Sequence, residues 1–267
     1  MTMNRGLIVV RAGDFSLHSA WVKRDRKLRS YDVALSYFGN FPEYWKTQCD
    51  FFFAQKGSKW QGLSIFVKEQ EELITQYDYV WFPDDDLWMH PEEVEDFFNL
   101  CRTYQIDVAQ PALQRGSFYS WKITLQNDFT IFRETNFVEV MAPCFKVANF
   151  NFFKDTFKEN TSGWGLEYLW WKIAKDNNCN KFAIMDQTPM LHTREVGTAG
   201  SGGATLLPRQ EMEQLLEKYH LSQVRPKVLK KHFGLMCSFP RFVWNCKGFK
   251  QLQRGKSFSQ KFQGKRY

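Results

Sequence analysis

Tyr77-Asp78-Tyr79-Val80-Trp81-Phe82-Pro83-Asp84-Asp85-Asp86 is the stretch on which the fold turns. An apolar, aromatic-rich run of strand length stops at a proline, which has no backbone N–H to give a ladder, and three carboxylates follow at once. Pro91-Glu92-Glu93 then opens a helix, with proline at the first helical position and acids that complement the helix dipole. The acidic cluster is therefore expected at the carboxyl end of a strand, the edge where open α/β sheets bind ligands.

Upstream, Gly6 to Val10 is a short apolar run ending at Arg11-Ala12-Gly13-Asp14, as a buried strand ends in a loop. Asp32 to Tyr37 and Asp50 to Phe53 repeat the pattern, and Glu69 to Gln76 reads as helix. Downstream, strands are expected at Asp107 to Ala109 and Phe137 to Met141, a helix from Gly165 to Asn177, an apolar run from Phe182 to Met185, and a helix from about Pro208 to Tyr219. Strands alternating with helices imply βαβ units and a mixed, mostly parallel α/β sheet flanked by helices. The Gly-rich stretch Gly197 to Gly203 reads as a mobile loop.

The 267 residues are 43% hydrophobic and 17% aromatic, which excludes a disordered chain. Only four consecutive apolar residues, Leu7 to Val10, stand near the amino terminus, too few for a signal segment or a membrane span, so a cytoplasmic protein is expected. Six scattered cysteines without a CxxC pair read as reduced thiols and argue against a zinc site. Lys218 to Tyr267 holds 13 Lys and Arg and no Asp or Glu; removing these from the net charge of +7 leaves −6 for residues 1–217. A boundary is expected near residue 222, dividing a domain of residues 1–221 from a basic, aromatic-rich extension of residues 222–267. Basic residues interleaved with Phe and Trp suit an anionic membrane surface, placing the protein peripherally on the inner face of the cytoplasmic membrane. Acidic glycan or nucleic acid would draw on the same charges, although the acidic body disfavours nucleic acid.

Three constellations carry candidate chemistry. Adjacent carboxylates Asp84, Asp85 and Asp86 repel one another unless a cation relieves them, and oxygen ligands of this kind suit Mg²⁺ or Mn²⁺ bridging the phosphates of a nucleotide-sugar donor. A solvated acidic helix start is the plainer alternative. Gly163-Trp164-Gly165-Leu166-Glu167 combines a tight turn, an aromatic platform for a sugar face at Trp164, and a carboxylate at Glu167 placed to act as general base. Core packing of the tryptophans and a helix-dipole role for Glu167 would give the same pattern. His192-Thr193-Arg194 offers an imidazole able to complete a Mn²⁺ shell and a guanidinium able to grip phosphate, against a purely structural histidine. Arg11 and Asp14, in the loop after the first strand, and Lys59, in Lys56-Gly57-Ser58-Lys59, are further donor-binding candidates; the latter segment also reads as an exposed basic turn. No dinucleotide fingerprint or P-loop is present.

With these residues assembled, the chain resembles the domain of unknown function 707 family, itself similar to GT-A glycosyltransferases. The resemblance rests on Ser16-Leu17-His18 with Trp21, Asp32 through Gly39, Asp84-Asp85-Asp86-Leu87, Gly163-Trp164-Gly165-Leu166-Glu167, and His192-Thr193-Arg194 with Gly197, in order over about residues 6–215. It implies a Rossmann-like GT-A fold, an Asp-x-Asp equivalent at Asp84 and Asp86 with Asp86 as direct metal ligand, a late ligand at His192, and Glu167 where inverting enzymes place their base. The expected function is metal-dependent transfer of a sugar from a nucleotide-sugar donor to a glycan or lipid-linked acceptor, in bacterial surface polysaccharide biosynthesis. A non-catalytic nucleotide- or glycan-binding module, or a nucleic-acid-binding protein acting through the basic extension, are the alternatives.

Overall fold

The structure is a computed structural model that describes residues 5–22, 25–195 and 206–234. The Gly-rich stretch 197–203 and the extension from residue 235 onward lie outside the described residues.

Among the described residues, ten strands and seven α-helices follow one another: β1 (Gly6–Ala12), β2 (Tyr31–Tyr37), α1 (Pro42–Trp45), β3 (Phe51–Ala54), α2 (Lys59–Glu69), α3 (Glu71–Ile74), β4 (Tyr79–Trp81), β5 (Leu87–Trp88), α4 (Pro91–Thr103), β6 (Val108–Leu113), β7 (Thr130–Thr135), β8 (Cys144–Lys146), α5 (Val147–Phe150), α6 (Leu166–Asp176), β9 (Phe182–His192), α7 (Pro208–Lys218) and β10 (Val228–Phe233). The sheet order is β10-β7-β9-β6-β8-β4-β1-β2-β3, with β5 paired to β9 off this path. From β3 through β2 and β1 to β4 the strands are parallel; β8 runs antiparallel between β4 and β6, and β9 is parallel to β6 and antiparallel to β7. The expected α/β sheet is therefore present, parallel in its amino-terminal half and mixed beyond it.

β1 is buried along its whole length, as befits a parallel strand covered on both faces. Its side chains alternate between two cores: Ile8 and Val10 pack with Trp21, Trp81, Phe97 and Phe98, whereas Leu7 and Val9 pack with Trp60, Phe66, Phe145 and Trp170. α4 buries Val94, Phe97, Phe98 and Cys101 on one stripe, an i, i+3, i+4, i+7 pattern that matches a helix covering a sheet.

Three expectations are corrected. Phe137 to Met141 is not a strand but a buried connection between β7 and β8; its apolar side chains are covered, while the Glu139 N–H is satisfied by the Gln110 side chain at 2.5 Å instead of by a ladder. The Lys56–Lys59 turn opens the long helix α2, because Ser58 and Gln61 form a reciprocal capping box, and the helix expected at Glu69 to Gln76 is only the short α3 that follows. Residues 228–233, assigned from sequence to the basic extension, form β10 at the edge of the sheet, and the contacts divide the chain after His232, later than the expected boundary at 222. No described helix is long and apolar enough to cross a membrane.

At the amino end of the parallel strands, Asp32 is 1% exposed and accepts hydrogen bonds from Arg5, Arg26 and Tyr77 at 2.7 to 3.0 Å. Burial by itself would raise its pKa, but the bonds from Arg26, Tyr77 and Arg5 outweigh it and bring the carboxyl down to about 2. A depressed folded-state pKa stabilises the fold above the ordinary carboxylate pKa and loses that stabilisation as pH falls toward 2. Asp32→Asn should therefore cost roughly 1–3 kcal/mol at pH 7, a deficit that thermal unfolding should show shrinking between about pH 4 and 2. Gly163, at φ 79°, lies so close to the Trp60 indole that any Cβ there would collide with it. Gly163→Ala should accordingly lower Tm by several degrees in the same assay.

Candidate active site

β4 runs parallel to β1 with its last residue, Trp81, opposite Ile8, and the three aspartates follow β4 beside the loop after β1, where the Gly13 N–H meets Asp85. Each carboxylate has a different environment. Asp85 accepts from the Gly13 N–H at 2.8 Å and from Arg194 Nη1 at 3.0 Å, while its own carbonyl holds the Leu17 N–H at 2.7 Å, so it fastens the β1 loop to the cluster. Asp84 Oδ1 meets Lys59 Nζ at 2.5 Å, and the same ammonium bonds the carbonyls of Val140 and Met141 at 2.8 and 3.1 Å. Asp86 is 9% exposed, and its Oδ1 is buried with no hydrogen-bond partner.

β5 and β9 supply the remaining member. Leu87 pairs with His192 and Trp88 with Leu191 in antiparallel register, and Thr193 donates through its N–H and hydroxyl to the Asp86 carbonyl at 3.2 and 2.8 Å. The pairing holds His192 Nε2 at 3.4 Å from Asp86 Oδ2. Nδ1 of His192 lies 2.8 Å from the Phe118 carbonyl, the outer-sphere bond that presents Nε2 to the interior and that metal-ligating histidines commonly make. Burial lowers the imidazole pKa, but Asp86 and the Phe118 carbonyl outweigh it, and the net shift is upward.

An orphaned carboxylate oxygen beside an imidazole fits Mn²⁺ or Mg²⁺, with Asp86 and His192 as protein ligands and phosphate or water completing the shell. Among the described residues, no group of three or more His, Cys, Asp or Glu side chains is arranged to hold a metal. Of the expected trio Asp84, Asp86 and His192, the structure brings Asp86 and His192 within 3.4 Å of each other and pairs Asp84 with Lys59.

Burial raises the pKa of Asp84, with Lys59 opposing and Asp86 and Asp85 adding to the rise; burial also raises that of Asp85, against Gly13 and Arg194. Two chain cations thus offset part of the repulsion among three adjacent acids. Arg194 is also bound to the Phe15 carbonyl at 2.9 Å, yet stays 42% exposed in its side chain.

Glu167 stands in the first turn of α6, after Gly165 at φ 93°. It is 6% exposed and accepts from the Gly165 N–H at 3.1 Å, so the helix-dipole role is real. Burial nevertheless pushes its pKa up to about 7, with its own and the Gly165 N–H opposing and Glu139 contributing. A carboxyl tuned near neutrality is what general-base work requires. Trp164 beside it is 47% exposed, in contrast to the fully buried Trp170.

Glu139 was not anticipated from sequence. It is 7% exposed, and its carboxyl is raised to about 7 chiefly by burial, with His192 opposing, Asp84 adding, and the Ser120 hydroxyl and Lys59 opposing. The one available signal was a lone acid inside the apolar run Phe137-Val138-Glu139-Val140-Met141.

Arg11 and Asp14, expected to bind donor, both have partners within the chain. The Arg11 guanidinium is buried and donates to the carbonyls of Ser36, Gly57 and Ser58 at 2.8 to 3.2 Å, which pins β1 to β2 and to the start of α2. Asp14 accepts from the Tyr37 hydroxyl and from the Asn40 N–H at 2.9 Å, securing the loop after β2. Lys59, a third such candidate, is the cation already described on Asp84.

No curated protein matches the chain. The family described as "Protein of unknown function (DUF707)" matches residues 26–136, a span that includes the three aspartates but not Glu139, Glu167 or His192. Among solved structures, S. aureus TarS 1-349 in complex with UDP-GlcNAc is similar with a TM-score of 0.54 and 12% identity, over 80% of this chain and 65% of that one. GalNAc-T7 with UDP, GalNAc and Mn²⁺ is similar with a TM-score of 0.53 and 11% identity, over 81% of this chain and 48% of that one. The chain thus spans less than two thirds of the length of either structure. At such identities the likeness is one of fold: the chain has the GT-A architecture, and residues 26–136 carry the family resemblance that its motifs imply.

Proposed function

We propose that the protein is a metal-dependent glycosyltransferase that moves a sugar from a nucleotide-sugar donor to a glycan or lipid-linked acceptor. The observation that carries this reading is the pairing of Asp86, with its orphaned oxygen, and His192 at 3.4 Å, on the ligand-binding edge of a GT-A sheet. The two similar structures hold UDP-GlcNAc in one case and UDP, GalNAc and Mn²⁺ in the other, which supports a uridine nucleotide as the first donor to try.

In this reading Asp86 and His192 hold Mn²⁺ or Mg²⁺, which when bound offsets charge developing on the leaving diphosphate. Arg194, bonded to Asp85 yet 42% exposed in its side chain, steadies the phosphates, and Trp164 provides a face for a sugar ring. Glu167 takes the proton from an acceptor hydroxyl as that oxygen bonds to the anomeric carbon and the bond from that carbon to phosphate breaks. Attack from the face opposite the leaving group inverts the anomeric configuration. The proposal extends to a role in bacterial surface polysaccharide biosynthesis, with the basic extension after β10 resting on the anionic inner leaflet.

UDP with Mn²⁺ at about 100 times its Kd should stabilise the wild type by roughly 2.7 kcal/mol in a thermal-shift assay. Chelator or Asp86→Asn should remove that stabilisation; a shift indifferent to both would exclude the metal site. Since Glu167 must be deprotonated to act, turnover should rise about tenfold per pH unit below about 7 and level off above it. Glu167→Gln should retain nucleotide binding and lower turnover by roughly 10²-fold or more, and steady-state kinetics showing normal turnover would remove Glu167 from the mechanism.

A further inference from the structure

The turn that presents Trp164 and opens α6 is held by a residue of α7, 49 positions beyond Ser162. The Glu211 carboxylate accepts from the Ser162 N–H at 2.8 Å through Oε2 and from the Thr161 N–H at 3.3 Å through Oε1, so successive backbone amides engage both of its oxygens. Such bonds to an ionised acceptor are about twice as strong as neutral ones. From there the restraint passes along the turn: the Ser162 hydroxyl accepts from the Trp164 N–H at 3.2 Å, while the Asn160 side chain donates to the Trp164 carbonyl at 2.9 Å and accepts from the Gly163 N–H at 2.7 Å. Both backbone polar groups of Trp164 are thereby fixed. Gly165 follows, gives its N–H to Glu167, and lies so close to α7 that a Cβ there would stand 3.1 Å from Met212 and from Leu215. Near the other end of α7, Lys218 Nζ meets Glu159 Oε2 at 2.5 Å.

Close packing does not supply the same restraint. A cleft of about 540 Å³ lies between α2, residues 157–161 and α7, with Gln61, Ser64, Asn160, Thr161, Glu211 and Lys218 in its lining. The segment that enters the turn therefore borders open space on this side, and the Trp164 side chain is itself 47% exposed, so hydrogen bonds define the path of the turn. We propose that Glu211 is a positioning residue for sugar transfer: its carboxylate fixes the turn 161–165, and through it the aromatic face of Trp164 and the approach to Glu167. This rests on the glycosyltransferase reading, in which Trp164 meets a sugar ring and Glu167 is the base. Misplacing a substrate-orienting group by about 1 Å can cost about 10²-fold in rate. Glu211→Ala removes both bonds. Glu211→Gln keeps one, because its oxygen can still accept from Ser162 while its NH₂ group turns a donor toward the Thr161 N–H. A graded loss is expected.

The test uses the full chain labelled with 5-fluorotryptophan, the Trp164 resonance being assigned by Trp164→Phe, together with kinetics of UDP-GlcNAc and UDP-GalNAc hydrolysis. Wild type should give one sharp Trp164 line. Glu211→Ala should broaden or split that line and lower kcat/KM at least about tenfold, with Glu211→Gln between the two. In both variants the UDP-Mn²⁺ thermal shift, which reports on Asp86 and His192, should keep its wild-type value. Glu213→Ala breaks the exposed pair with Arg209 on the same helix and should change neither line nor rate. A wild-type line and a wild-type kcat/KM in Glu211→Ala overturn the proposal. An altered line with unaltered kcat/KM also overturns it, since Glu211 is then structural only, as does an equal loss of rate in Glu213→Ala, which assigns the effect to the whole helix. If Glu211→Ala does not fold, Glu211→Gln is judged by the same outcomes. A wild type that hydrolyses neither sugar nucleotide counts against the glycosyltransferase reading instead, and the Trp164 line still decides whether Glu211 fixes the turn.

Discussion

The two-residue pairing of Leu87 and Trp88 with Leu191 and His192 brings together groups that are distant in the chain, and the geometry of the crevice depends on it. Because antiparallel register fixes which residues lie opposite each other, His192 faces the residue after Asp86, and Thr193 closes onto the Asp86 carbonyl. A slip by one residue would turn His192 to the other face of the strand and dissolve the pair. β9 can hold that register because its earlier residues are locked between β6 and β7 within the sheet.

Around this pairing the chain accumulates acid that the fold must tolerate. Glu139 and Glu167 are both pushed up to about 7 by burial, so above neutral pH each carries a charge that the folded state disfavours relative to the unfolded chain. Asp84 and Asp85 are relieved by Lys59 and Arg194, whereas Asp86 Oδ1 and Glu139 Oε2 have no hydrogen-bond partner among the described residues. In contrast, the acids buried elsewhere are fully engaged: Asp32 with Arg5, Arg26 and Tyr77, and Asp186 with Arg133, Thr130 and the Asn127 N–H. The contrast between satisfied and unsatisfied buried carboxylates is what makes the aspartate region a candidate site.

Much of the parallel half was legible in sequence because its signals are local. Strands β1, β2 and β4 are apolar runs closed by loop residues, α4 announces itself by Pro91 and its acidic first turn, and the Gly-Trp-Gly turn marks the start of α6. The expected placement of Phe137 to Met141 in a strand failed because apolar composition reports burial, not pairing; this segment is buried without a ladder. The role of Lys59 was hidden for a similar reason, since a basic residue after Gly57-Ser58 looks solvent-exposed until the capping box turns it into the first residue of α2 and aims it at Asp84.

The sequence by itself determined the α/β class, the strand-end position of Asp84, Asp85 and Asp86, and the presence of Glu167 at a helix start, because each follows from hydrophobic periodicity, proline placement or helix-end electrostatics within a few residues. Only the tertiary structure decided which of those residues share a site. It joined Asp86 to His192, paired Asp84 with Lys59, and bonded Arg11 and Asp14 to neighbouring loops. Those outcomes depend on strand register and on competition among partners far apart in the chain, and neither quantity is encoded in any local pattern.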